Sequence, residues 1–104
     1  MSKGQAESVF AQRLRQVRQA TGLSQKGLGI AAGLDRFVAS TRINRYERSV
    51  SWPDLSVILK LAEVLSVPAP LLIAEDDKLA ELIELFGRAS KRKQGEVLKM
   101  LRSA

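Results

Sequence analysis

The chain has 104 residues, enough for one domain or one domain with a short extension. Apolar residues make up 45% and charged residues 27%, the mix of a soluble globular protein, while the absence of cysteine and histidine excludes disulfides, zinc–thiolate sites and histidine- or thiol-dependent hydrolases. The net charge of +6 is one-sided: nine basic residues face three acidic ones up to Trp52, and eight face eight beyond it. The excess is mostly arginine, the side chain suited to paired hydrogen bonds with phosphates and guanine edges, so a polyanionic partner is expected.

Every convincing segment is helical. Phe10, Leu14 and Val17 recur at i, i+4 and i+7, the spacing of one helix face. Thr21-Gly22 ends this first helix. Ser24 is a natural N-cap for a short second helix through Ala32, which Gly33 stops. Asp35 to Ala39 fits no single pattern. A third helix is predicted over Thr41 to Arg48, with Ser40 as its cap and Ile43 and Tyr46 turned inward. Pro53 suits the first turn of a fourth helix with the stripe Leu55, Ile58, Leu59, Ala62 and Leu65. Pro68 and Pro70 leave room for only a short fifth helix near Ala69 to Ala74.

Glu75-Asp76-Asp77 reads as a junction and a helix start, because carboxylates favour the positive end of a helix. Two adjacent aspartates without further ligands do not make a metal site, and none is expected, nor is a cofactor. A sixth helix follows with Leu79, Leu82, Ile83 and Phe86, broken by Gly87. Ser90 caps a last one carrying Val97, Leu98 and Leu101. No strand periodicity, solenoid repeat or membrane-length apolar run is present, and Met1 to Ser8 is polar without a signal core. A soluble, cytoplasmic, all-α protein without enzymatic activity is therefore the expectation.

Two short helices joined by a tight turn are a means of reading DNA: one braces on the backbone and the next enters the major groove. With Ile43 and Tyr46 inward, the third helix presents Ser40, Thr41, Arg42, Asn44, Arg45 and Arg48. Arginine bridges guanine O6 and N7, asparagine bridges adenine N6 and N7, and hydroxyl groups donate or accept. The same arginines at i, i+3 and i+6 are also what a solvated helix face looks like.

Residues Phe10 to about Ala74 resemble the Cro/phage-repressor (XRE-type) helix-turn-helix domain. The resemblance lies in Leu14-Arg15-Gln16-Val17-Arg18, Gly22-Leu23-Ser24-Gln25 and Ala31-Ala32-Gly33-Leu34. It continues in Ile43-Asn44-Arg45-Tyr46-Glu47-Arg48, Trp52-Pro53-Asp54 and Leu61 to Pro68. It implies a five-helix repressor-like bundle over residues 1–75, here with two additional C-terminal helices over 76–104. It implies a transcriptional regulator that binds double-stranded operator DNA as a two-fold homodimer. Ser40, Thr41, Arg42 and Arg45 match base-contacting positions. Gln25 matches a phosphate contact at the start of the second helix, and Asn44 and Arg48 are assigned to the DNA backbone. Arg18 and Glu47 match a salt bridge between the first and third helices, a structural role.

Three departures stand out. Eight residues, Asp35 to Arg42, separate Leu34 from Ile43, more than the family's pattern has, so either the turn is longer or the third helix gains a turn. Gly27 and Gly29 sit inside a helix, each costing about 1 kcal/mol against alanine. Gly29 matches a position where the family keeps a small residue for close packing, whereas Gly27 has no evident reason. Ser49 stands where glycine often ends the third helix, so a blunter C-terminus is expected. The extension over 76–104 is either a dimer clasp, the favoured expectation, or a cover for its own bundle. An antitoxin or coactivator-like adaptor, binding a protein through that extension, is the competing function.

Overall fold

The structure, a computed structural model, describes the backbone of residues 3–103 and the side chains of residues 9–103. Met1 and Ser2, part of the polar opening stretch, lie outside the described residues. Six α-helices and one 3-10 turn follow one another: α1 (Lys3–Thr21), α2 (Gln25–Ala31), α3 (Ala39–Glu47), α4 (Leu55–Leu65), the 3-10 turn (Ala69–Ile73), α5 (Asp77–Arg88) and α6 (Lys91–Arg102). Among the described residues there is no strand. The order is the expected five-plus-two arrangement, with the fifth element wound as a 3-10 turn between its two prolines and Ala74.

The core forms where the helical stripes converge. Phe10 and Leu14 of α1, Leu28 of α2, Ile43 of α3, Leu61 of α4 and Leu72 of the 3-10 turn are fully enclosed. Each such side chain stabilises the fold by about 1.5–3 kcal/mol on burial. Trp52 packs on this core, its ring 5.1 Å from that of Phe10 and tilted by 59°. The inward face of α4 is Ile58, Leu61, Ala62 and Leu65, whereas Leu55 and Leu59, expected in that stripe, are exposed. The expected stripe was rotated toward Leu55 and Leu59, which share one flank, and left out Leu61 on the other.

The helix ends differ from the expectations in three places. Asp54, not Pro53, opens α4: its carboxylate accepts the Val57 N–H at 3.0 Å, and Pro53 lies just outside the helix. Ser40 does not cap α3, because the helix starts at Ala39 with Val38 at the cap position and no side chain bonded to its free N–H groups. Ser49 adopts the left-handed conformation at φ 59°. It closes α3 as a glycine would, with Val50 N–H on Arg45 O at 2.9 Å and Ser49 N–H on Tyr46 O at 3.3 Å. The end is therefore sharp rather than blunt, at the cost of backbone strain.

Close approach explains three glycines. A Cβ on Gly29 would lie 2.7 Å from Ala39 Cβ and 3.0 Å from the Ala39 carbonyl oxygen, so its absence lets α2 and α3 touch. A Cβ on Gly87 would lie 2.8 Å from Pro68 Cγ. Gly87 does not break its helix, as its local signal suggested; α5 runs through it to Arg88, and the missing side chain makes room for Pro68. At Gly27 a Cβ would come within 3.1 Å of Ser24 Oγ, the hydroxyl that caps α2 by accepting the Gly27 N–H at 2.8 Å.

The extension is tied to the bundle through α5. Ala80 joins Leu71 and Ala74 in a second small cluster with Val17, Val67 and Ile83. The Arg13 guanidinium donates twice to the Ala74 carbonyl, at 3.1 and 2.9 Å, and contacts Asp77 at 3.0 Å. Beyond Ala80 no residue of α5 or α6 is buried. Gln94 holds the two together by donating to the Phe86 carbonyl at 2.7 Å. The result is an elongated molecule of 50 × 30 × 22 Å.

Candidate nucleic-acid interface

The face that α3 turns outward is set by what it buries. Ala39, Ile43, Tyr46 and Glu47 point into the protein. At about 100° per residue, Thr41, Arg45 and Arg48 then lie opposite them, with Ser40 and Arg42 on the two flanks. All five are exposed, while Asn44 is half-buried. The turn ambiguity resolves as a combination of both alternatives. Asp35 to Val38 forms a turn, with Val38 N–H on Asp35 O at 3.0 Å, and α3 gains a first turn ahead of Ile43. Ser40, Thr41 and Arg42 occupy that added turn.

Glu47 fixes α3 from behind. Arg18 Nε lies 2.6 Å from Glu47 Oε2 and its Nη2 lies 3.0 Å from Oε1. The Glu47 side chain is only 3% exposed and that of Arg18 13%. A third bond, Arg18 Nη1 to the Leu23 carbonyl at 3.0 Å, ties in the α1–α2 turn. The hydrogen bond with Glu47 raises the Arg18 pKa above its ordinary value, against the opposing effect of burial. Planar guanidinium and carboxylate thus meet edge to edge, the geometry in which such pairs are strongest.

Gln25 joins this pair. Its Nε2 donates to Glu47 Oε1 at 3.1 Å from the first position of α2. One of its two N–H groups is thereby directed inward. On the other side of α3, Asp54 has a pKa lowered by its bond from Ser56 and by the Val57 N–H, with a smaller electrostatic share from Arg42.

Two residues were missed by sequence reasoning. Arg13 entered only the charge count, and its bonds to Ala74 and Asp77 join segments more than sixty residues apart, for which no local signal exists. Phe37 had no assigned place; it is 88% exposed, with the Arg36 guanidinium carbon 5.9 Å from its ring centre. Among the described residues no group of three or more carboxylates gathers to hold a metal ion, and no helix is long and apolar enough to cross a membrane.

Residues 9–74 match the family of helix-turn-helix domains. The chain is also similar to the transcriptional regulator BswR, whose crystal structure superposes with a TM-score of 0.84 at 36% identity, covering 90% of this chain and 93% of that one. A span of that length reaches beyond the matched domain into the C-terminal helices. No curated protein sequence matches the chain. The two short helices, the braced outward face of the second and the match over most of the bundle together make this chain a member of the helix-turn-helix DNA-binding family.

Proposed function

We propose that the protein is a sequence-specific transcriptional regulator that lays α3 in the major groove of an operator as a two-fold dimer. The observation that carries this reading is the stripe Thr41, Arg45 and Arg48, exposed on a helix whose opposite face is buried and salt-bridged. The nine residues of α3 make a rod about 13 Å long. The major groove is about 12 Å wide and admits one helix. Ser40, Thr41, Arg42 and Arg45 are assigned to base edges, and Asn44, Arg48 and the remaining N–H of Gln25 to phosphates. The similarity to BswR, a transcriptional regulator, supports the regulatory role. Its site of action is then the cytoplasm, with the DNA.

The dimer rests on the extension. Leu79, Leu82 and Leu85 of α5 and Leu98, Met100 and Leu101 of α6 are all exposed, an apolar set suited to a partner surface. A second copy covers this surface best, because pairing doubles the base contacts and sets two recognition helices about 34 Å apart. The same surface also favours an adaptor or antitoxin that grips another protein.

Selection from randomised duplexes decides between these. A regulator enriches a palindrome with half-sites about one helical turn apart. An adaptor gives weak, uniform binding that moderate salt abolishes. Arg45→Ala is expected to lose about 1–3 kcal/mol at one base position and to relax preference there. Truncation after Glu75 leaves the bundle core intact and shifts the species to monomer in sedimentation. A truncated chain that stays dimeric rules out the clasp.

A further inference from the structure

Phe37 is the most exposed large apolar side chain among the described residues, at 88%. Single apolar residues on a surface are ordinary; the placement of this one is not. It stands four residues before Thr41, eight before Arg45 and eleven before Arg48. It lies in the turn over 36–38, two residues ahead of the first residue of α3, so the ring stands beside the helix end that carries Ser40 and Thr41.

The turn that carries it is ordered. Asp35 Oδ1 accepts the Phe37 N–H at 2.8 Å, and Val38 N–H bonds back to Asp35 O. Arg42 N–H then bonds to Val38 O at 2.8 Å, so the turn feeds into the helix without a break. The Arg36 guanidinium lies over the ring, its carbon 5.9 Å from the centroid. An exposed apolar ring with a guanidinium over it suits a surface that offers a small apolar group inside a polyanionic frame. In the major groove that group is the C5-methyl of thymine.

We infer that Phe37 is a specificity-determining residue that packs on a thymine methyl at the end of the half-site ahead of the bases met by Thr41 and Arg45. This rests on the operator-binding reading and adds one base to it. Burial of a single methyl corresponds to about a fourfold change in affinity.

The test compares wild type with Phe37→Ala on the motif that the wild type selects, with each thymine in turn replaced by deoxyuridine. One thymine is expected whose demethylation weakens wild type about fourfold and leaves Phe37→Ala unaffected. The variant is expected to select the same motif without preference at that base, and to melt as wild type does. Equal demethylation costs in both proteins, or an unchanged motif in the variant, overturn the assignment while operator binding stands. A variant with an unchanged motif but altered sedimentation assigns the ring to a protein contact instead. A wild type that enriches no motif refutes operator binding, and the Phe37 role with it.

Discussion

Replacing Arg18 by methionine tests how α3 is held. The substitution keeps the aliphatic stem and removes the guanidinium that faces Glu47 at 2.6 and 3.0 Å. The carboxylate it leaves is 3% exposed and retains the Gln25 amide as a partner. Breaking a buried pair from one side costs about 3–5 kcal/mol, a large share of a total stability of about 5–15 kcal/mol. With a urea dependence of about 1.5 kcal/mol per molar, the unfolding midpoint should fall by about 2–3 M. The double replacement Arg18→Met with Glu47→Leu should recover most of the loss, since no charge is then stranded. The coupling between the two sites should persist at about 1 M salt, where the Debye length is about 3 Å and exposed pairs such as Arg92–Glu96 are screened. A loss below about 1 kcal/mol, or one that vanishes in salt, would show that the pair behaves as a surface ion pair and refute its bracing role.

Gly29→Ala should destabilise the fold by about 1–3 kcal/mol despite its better helix propensity, because the Ala39 backbone oxygen cannot yield as a flexible side chain does; thermal melting checks this. Ser49→Gly should raise the melting temperature by relieving a left-handed residue, a gain of about 0.5–1 kcal/mol. Asp54 gives an acid dependence. Its carboxyl titrates lower in the folded chain than its unfolded value of about 3.9, so its contribution is complete above that value and is lost as pH falls through the lower folded one. Urea midpoints measured between about pH 5 and pH 2 should therefore decline more steeply in wild type than in Asp54→Asn.

The inward face of α3 was legible because Ile43 and Tyr46 sit in a short helix between clear stops, where periodicity has little room to mislead. The ion pair of Arg18 and Glu47, twenty-nine residues apart, followed only from the family resemblance. What local rules misjudged was decided by tertiary contact or backbone geometry. Gly87 looks like a terminator until Pro68 is placed against it. Ser49 looks like a weaker stop than glycine until its left-handed turn is seen to close both terminal bonds. Leu55 and Leu59 fit the α4 stripe by spacing, yet both remain exposed. The added turn before Ile43 stayed one of two alternatives because Asp35 to Ala39 fits no single pattern, and the position of Phe37 stayed open with it.

The last helix has a consequence of its own. Twelve residues of which none is fully buried make a segment close to the limit of what stays wound in water. Its lifetime as a helix is then governed by whatever settles on its leucines rather than by the rest of the chain. Amide hydrogen exchange along α6 should accordingly slow as protein concentration rises while exchange in α1 and α4 stays constant, making the tail a built-in gauge of assembly.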